Sequence, residues 1–303
     1  MLEIPRRINM NMEIDTKIFE GKVYAQEKLE GLAERVGELR RRHGIEVKMG
    51  SIYLTTDPSS VLYTKIKKRK AEEIGIVFED YLVDQKDTNR IISKITEWNV
   101  DKSFQGILVQ KPSGKGGFSD EEWNEIVSAI DPGKDIDGLT YANLGHLLGT
   151  KEPSFVPATV RAVLEIINRA NFDPRGKDVV IIGSSIIMGL PLGIKLIREK
   201  ASVAVLNDET EDVPFYTKNA GLIVTATGIN TGVPRQDWRS IVRRGDIRDG
   251  VVIIDVASPN PDVIKEEAEG KASFLTPVPN GVGPVTVTCL LENLVESVER
   301  ELV

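Results

Sequence analysis

The sequence predicts an α/β fold divided into two units, and three observations carry the prediction. Amphipathic helical stretches alternate with short apolar runs through the first half of the chain. In the second half the apolar runs become nearly continuous and β-branched, as in "KDVVIIG" and "VVIIDV", the composition of parallel strands covered on both faces. Strands and helices alternate there as well, which implies a parallel sheet with right-handed crossovers.

The elements follow in order. The start, "MLEIPRRINMNMEID", has no continuous apolar segment behind its arginines; it does not read as a secretory signal, and its first dozen residues read as a mobile extension. "KVYAQEKLEGLAERVGELRRRHG" is a long amphipathic helix that Gly44 terminates. "EVKMGSIYLTT" reads as a strand, and in the turn that follows Asp57 or Ser59 suits the cap of a helix running to about Glu73, with Gly75 as its stop. "VFEDYLV" and "FQGILVQ" are strands on either side of the helix "TNRIISKITEWNV". From near Pro157, "TVRAVLEIINRAN" places Val160, Val163, Leu164 and Ile167 on one helix face. The strand "KDVVIIG", a turn and helix in "SSIIMGLPLGIKLIREK", the strand "SVAVLN", a short helix, and the strands "GLIVTAT" and "VVIIDV" come next. The tail "VTVTCLLENLVESVER" is a helix with Val287, Leu290, Leu291, Leu294 and Val298 on one face, beside which Cys289 packs without chemistry to do.

Composition narrows the function classes. At 303 residues the chain can hold two domains, and its 41% hydrophobic and 28% charged content fits a soluble globular protein. A net charge of −7 argues against bulk attraction to nucleic acid or an anionic membrane. The single cysteine, Cys289, excludes an internal disulfide framework and fits a reducing compartment, so a cytoplasmic location is expected. His43 and His146 are the only histidines and cannot build a multi-histidine metal site; no metal is expected. No apolar stretch of about 18 residues occurs, so no membrane span is expected.

The motif that points to a ligand is "GSSIIMGLP", Gly183 to Pro191, where an apolar strand gives way to a helix. Glycines there let the backbone come close to a pyrophosphate, which gains from amide N–H groups and the helix dipole. Its spacing departs from G-x-G-x-x-G, since five residues separate Gly183 from Gly189. Asp208, at the end of the next strand, can accept hydrogen bonds from an adenosine ribose and would repel a 2′-phosphate; its rival role is to cap the following segment. "TATG", with Thr227 and Gly228, offers a further backbone approach. Taken by itself, the stretch from Gly183 to Pro191 reads either as a nucleotide-binding turn or as a plain strand–helix turn. A second feature is "SSVLYTKIKK", where Tyr63 stands four residues before Lys67 and shares its helical face.

The segments "DPSSVLYTKIKKRKAEEIGI", "GILVQKP", "DPGKDIDGLTYANLG", "GSSIIMGLP" and "TPVPNGVGPVT" occur in the order seen in methylenetetrahydrofolate dehydrogenase/cyclohydrolases, and from about residue 13 to its end the chain resembles that family. The resemblance implies an N-terminal α/β folate-binding domain, residues 1–154, completed by the C-terminal helix 285–303, and a Rossmann-like parallel-sheet NAD(P)-binding domain, residues 155–284. It implies a tetrahydrofolate derivative as small-molecule substrate, NAD or NADP as cofactor, and a homodimer formed through the cofactor domain. Two reactions would share one site: hydride transfer from 5,10-methylenetetrahydrofolate to NAD(P)+, then opening of the methenyl cation by water to 10-formyltetrahydrofolate.

The same resemblance assigns roles. Tyr63 would stack near the pterin and Lys67 would serve the chemistry. A normal lysine is protonated at neutral pH, so burial and the methenyl cation must lower its pKa before it can exchange protons. Gln110, the glutamine of V-Q-x-P, would hold Lys67 without adding a negative charge. Asp137, second acid of "KDIDG", would accept paired hydrogen bonds from the amino-pyrimidine edge of the pterin, while its rival Asp135 suits a turn. Pro279, Gly281 and Gly283 would lie in the loop over the folate and nicotinamide, and Gly183, Ser184, Ser185, Gly189, Pro191, Asp208, Thr227 and Gly228 would hold the cofactor.

Departures from the family pattern qualify these assignments. Ser184 stands where an arginine in G-R-S can read a phosphate, and Asn207-Asp208 replaces a strand end of cysteine and histidine. Both changes favour NAD+ over NADP+. Ala158, Lys111 and Asn280 replace a cysteine, a leucine and a glycine, and Lys111 adds a second cation whose direction decides whether it acts on Lys67. The loop "SGKGGFSDEEW" is unusually polar. The basic cluster Lys65, Lys68, Arg69 and Lys70 reads either as steering for a glutamate tail or as a solvated helix face. Rival functions are a dehydrogenase without hydrolase activity, acting on folate or another pterin carrier, and a nucleotide-binding regulator without turnover.

Overall fold

The computed structural model describes residues 14–112, 117–149 and 155–302. The anticipated N-terminal extension and part of the "SGKGGFSDEEW" loop lie outside the described residues. In the first half the chain forms β1 (Lys17–Ile18), α1 (Gly21–His43), β2 (Lys48–Leu54), α2 (Pro58–Glu73), β3 (Val77–Val83), α3 (Thr88–Val100), β4 (Gly106–Val109), α4 (Asp120–Ser128) and α5 (Tyr141–His146). The second half forms α6 (Ala158–Arg169), β5 (Asp178–Ile182), α7 (Gly189–Arg198), β6 (Ser202–Leu206), α8 (Val213–Thr217), β7 (Leu222–Thr225), β8 (Val252–Asp255), α9 (Lys265–Ala268), β9 (Phe274–Leu275) and α10 (Val282–Arg300).

Two parallel sheets result, β3-β2-β4 and β1-β9-β8-β7-β5-β6. The fold is therefore α/β, as the alternation of elements predicted. One strand departs from the expected organisation: Lys17–Ile18 pairs with Phe274–Leu275, so the segment ahead of α1 extends the large sheet although sequence order assigns it to the N-terminal unit. A strand this short carries no alternation from which its partner could be read.

Local chemistry sets the elements that matter for the site. Gly44 closes α1 in the left-handed region at φ 66°, donating its N–H to Arg40 O and Leu39 O. Asp57 caps α2 by accepting from the Ser60 N–H at 3.1 Å, and Pro58 occupies the first turn, where a missing N–H costs nothing. Of the two residues suited to that cap, Asp57 performs it. Gly75, at φ 85°, ends the segment and turns the chain into β3.

The small sheet is covered on one face by α1, α2 and α10, through Leu29, Met49, Leu108 and Leu291, and on the other by α3 and α4, through Ile52, Ile95, Trp98 and Trp123. The large sheet packs Val163, Leu192 and Val224 on one side and Ile223, Ile253 and Ala268 on the other. Helix α10 contributes to both units: Val287, Leu290, Leu291, Leu294 and Val298 join the first core, Val285 and Cys289 the second. Burial pushes the Cys289 thiol well up, as befits a packing residue. Charges bind the same helices. Lys28 of α1 donates to Glu165 of α6 at 2.6 Å and to Glu292 of α10 at 2.7 Å, and Arg161 of α6 grips Glu296 of α10 at 2.7 Å. These pairs tie α1, α6 and α10 together, with desolvation offsetting much of their attraction.

Candidate functional site

Helix α2 presents Tyr63 and Lys67 one turn apart on a common face, and the residue that follows β4, Gln110, meets Lys67. The Gln110 N–H continues the small sheet by donating to Ile52 O at 2.9 Å, which fixes its backbone; its side-chain Oε1 then accepts from Lys67 Nζ at 2.7 Å. The Gln110 amide nitrogen is turned to Lys111 O at 3.4 Å, so the oxygen faces the lysine.

Burial lowers the Lys67 pKa below the ordinary lysine value, against the opposing pull of Asp137. Asp137 moves the other way. Burial raises it, Asp135 reinforces the rise, and Lys67 opposes it. Both members are thus drawn toward their uncharged forms, which is the outcome when desolvation exceeds the attraction between two charges. Lys111 does not act on this pair. Its Nζ lies 3.9 Å from Asp120 and 5.3 Å from the Trp123 ring centre, directed toward α4.

The neutrality of Gln110 leads to a test. Gln110→Glu would put a carboxylate against Lys67 and favour its ammonium form, raising its pKa. A rate that depends on the free amine climbs with pH through that pKa, so the climbing limb of its pH profile should move to higher pH and the rate at neutral pH should fall. An unmoved limb in the pH–rate profile would detach Gln110 from the chemistry.

Asp135 and Asp137 divide the work that their shared motif left ambiguous. Asp135 is fully buried and its carboxylate accepts from Gly138 N at 3.0 Å, Thr140 N at 2.7 Å and Asn143 Nδ2 at 2.9 Å. It shapes the turn. Gly138 sits at φ 73° in that turn, and a Cβ there would lie 2.8 Å from Pro157 N. Asn293 of α10, buried, completes the frame by donating to Ile136 O at 2.9 Å and Val156 O at 3.0 Å. Asp137 is left half-buried on the side of Lys67.

On the other unit, Gly183 ends β5 at φ 122°, where a Cβ would lie 2.6 Å from Ala226 O; a Cβ on Gly189 would lie 1.8 Å from Gly183 O. The two glycines bring strand end and helix start into backbone contact, with Ser184 half-buried and Ser185 exposed between them, and with Pro191 buried behind. This close approach leaves the N-terminus of the ten-residue helix α7 beside the strand end, a place whose N–H groups and dipole suit the pyrophosphate of a dinucleotide. Asp208 is exposed at the end of β6 and makes no hydrogen bond or ion pair among the described residues. The capping role falls to its neighbours: Asn207 accepts from Glu209 N at 3.1 Å, and Asp212 caps α8 through Phe215 N at 3.1 Å. Thr227 is exposed, and Gly228 turns the chain after β7 at φ 64°.

The last loop is used unevenly. Pro279 and Gly283 are exposed, whereas Gly281 is buried, its place for a Cβ taken by Pro277 O at 2.3 Å. Its lack of a side chain has a packing reason, because α1 begins at Gly21 against the same loop. Asn280, in place of a family glycine, takes φ 81°, a left-handed conformation that asparagine tolerates. In the basic cluster, Lys68 pairs with Asp80 and Lys70 with Glu73, each at 2.6 Å, and Arg69 lies 3.7 Å from Glu73. That is the solvated helix face, with Lys65 alone making no ion pair among the described residues.

Several residues at the site were not anticipated. The Tyr63 hydroxyl meets the Ser258 hydroxyl, which follows β8 on the opposite unit. Asp255 and Asp262, both buried, hold the loop that carries Ser258. A shallow crevice also runs between α4–α5 and the glycine loop, lined by Trp123, Tyr141, Ile186 and Ile187. The Tyr63–Ser258 contact and the crevice lining join segments distant in the chain, so no local sequence signal marks them.

The layout is that of a two-domain α/β enzyme, with a lysine–amide pair on one unit and a glycine turn at a helix N-terminus on the other. The family model for the tetrahydrofolate dehydrogenase/cyclohydrolase catalytic domain matches residues 19–137, and that for the NAD(P)-binding domain matches residues 157–302. The chain belongs to the tetrahydrofolate dehydrogenase/cyclohydrolase family. It is 36% identical over 296 residues to the bifunctional protein FolD of Bacillus subtilis, covering 94% of this chain and 98% of that one. Among solved structures it is similar to the bifunctional FolD enzyme of Campylobacter jejuni, with a TM-score of 0.85, 33% identity and coverage of 94% and 99%. The Trypanosoma brucei methylenetetrahydrofolate dehydrogenase-cyclohydrolase, solved with NADP and an inhibitor, gives a TM-score of 0.84 at 28% identity, with coverage of 95% and 99%. Across the described residues no helix is long and apolar enough to cross a membrane.

Proposed function

We propose that this chain oxidises 5,10-methylenetetrahydrofolate with NAD(P)+ and hydrolyses the methenyl product to 10-formyltetrahydrofolate in the same crevice. The observation that carries the reading is the bond of 2.7 Å from Lys67 to a neutral amide, at a position where burial disfavours the ammonium. Such an amine can take a proton from attacking water and return one to the leaving nitrogen. Tyr63 offers its ring to the pterin and Asp137 its carboxylate to the amino-pyrimidine edge, whose N–H groups would favour the ionised carboxylate when bound. Gly183, Ser184, Ser185, Gly189 and Pro191 would hold the pyrophosphate, Asp208 the adenosine ribose, and Thr227 and Gly228 the segment beyond. A bound dinucleotide supplies the hydride acceptor. Pro279 and Gly283 stand exposed to border the folate, with Gly281 wedged behind them. In this reading residues 155–284 form the cofactor unit, and the enzyme works in the cytoplasm as a homodimer joined through it.

The exposed Asp208 and the serine at 184 support NAD+ as the preferred cofactor, because a carboxylate beside the ribose repels a 2′-phosphate and no arginine in that loop attracts one. Titrating each cofactor against 5,10-methylenetetrahydrofolate should give a kcat/KM for NAD+ on the order of tenfold above that for NADP+. Asp208→Ser should narrow the ratio, and a preference for NADP+ in the parent protein would reverse the assignment. The same assay tests the function itself. Reduced nicotinamide should accumulate together with 10-formyltetrahydrofolate, and absence of both products would refute the proposal.

A further inference from the structure

The hydroxyls of Tyr63 on α2 and Ser258 after β8 meet between the two units, and the segment behind Ser258 is anchored by a set of hydrogen bonds to two buried carboxylates. The Asp255 carboxylate, fully buried at the end of β8, accepts from Ala257 N at 3.0 Å, Asp262 N at 2.8 Å and Val263 N at 2.8 Å, bridging both ends of the loop. Asp262 passes the constraint on by accepting from Thr227 N at 2.6 Å and Ile229 N at 3.1 Å. Asn230 donates to Pro261 O at 2.6 Å, and Asn260 donates back to Asn230 O at 2.7 Å. The loop of Ser258 and the loop of Thr227 and Gly228 are therefore one braced body at the carboxyl ends of β7 and β8, where a parallel sheet places its ligand.

We propose that Ser258 is a positioning residue for the folate: its hydroxyl, fixed by the cofactor-side loops, holds the Tyr63 phenol and thereby sets the ring against which the pterin stacks. The inference rests on the reading of Tyr63 as a wall of the pterin site. A phenol on the half-buried face of α2 can swing about two side-chain torsions; a hydrogen bond from the opposite wall removes that freedom before substrate arrives, which lowers the cost of binding. Ser258 is exposed and its side chain supports no packing, so its removal leaves the fold intact.

Steady-state kinetics of Ser258→Ala, Ser258→Thr, Tyr63→Phe, Tyr63→Ala and the Ser258→Ala/Tyr63→Phe pair test the proposal. Ser258→Ala should raise the KM for 5,10-methylenetetrahydrofolate about fivefold, the worth of one hydrogen bond, with the dinucleotide KM unchanged. Ser258→Thr, which keeps the hydroxyl, should restore the parent value. In the Tyr63→Phe background Ser258→Ala should have no further effect, because the partner is already gone. A full effect of Ser258→Ala in that background, or none in the parent, would overturn the proposal while Tyr63→Ala still raised the folate KM. If Tyr63→Ala itself left that KM unchanged, the pterin-wall reading beneath the proposal would fall instead.

Discussion

Lys67→Met should fold, bind dinucleotide and hydrolyse 5,10-methenyltetrahydrofolate on the order of 10²- to 10⁴-fold more slowly than the parent, the range that a positioned proton-transfer group commands. Folding should survive because methionine retains the unbranched stem and removes a group whose charge burial already disfavours. What remains behind is the Gln110 oxygen without its donor, a cost of about 1–3 kcal/mol that a melting curve would register without loss of the folded state. Lys67→Arg separates proton transfer from charge. An arginine keeps donors and a positive charge yet does not give up its proton, so it should be as slow as methionine. Single-turnover hydrolysis of supplied methenyl substrate measures both variants; parent-like rates in either would remove Lys67 from the mechanism.

Gly189→Ala carries the second large effect, on the opposite unit. The new methyl carbon would lie 1.8 Å from Gly183 O and 3.3 Å from the Ser184 Cα, and the atoms it meets are backbone, which cannot rotate aside as a side chain would. Strand end and helix start must separate, an overpacking strain of about 1–3 kcal/mol that falls at the N–H groups that begin α7. The dinucleotide KM should rise by on the order of tenfold or more. Hydrolysis of methenyl substrate added directly should stay close to the parent rate, because Lys67 and Gln110 belong to the other sheet. Gly245→Ala is the control, since a Cβ there meets nothing within 4 Å. A dinucleotide KM unchanged in Gly189→Ala would show that this turn is not where the cofactor is held.

The two variants also show which parts of this molecule are written locally in its sequence. The cap at Asp57, the stop at Gly44 and the glycines at 183 and 189 act on residues a few positions away, so their patterns could be read in isolation. The helix spacing that pairs Tyr63 with Lys67 is of the same kind. Other features depend on segments that only the fold brings together. Lys111 could face Lys67 or leave it, and its direction toward Asp120 and Trp123 follows from where α4 docks. Asn293 looks like one more residue of a C-terminal helix, yet it braces Ile136 across 157 positions of sequence. Lys17–Ile18 is joined to the wrong unit by sequence order because its partner, β9, lies near the other end of the chain. Asp208 was legible as a ribose acceptor or a cap, and the structure removes the second role by giving the caps to Asn207 and Asp212.

The central claim is that burial pulls Lys67 toward its free-amine form at the proposed folate site. Nitrogen NMR of lysine side chains labelled at Nζ, followed across pH with the Lys67 signal assigned by its loss in Lys67→Met, measures this without reference to turnover. The account predicts that Lys67 titrates below the ordinary lysine value of 10.5 and below the chain's exposed lysines. Titration at or above that value would mean that the ammonium persists in the site, and the proposed proton transfer would be contradicted.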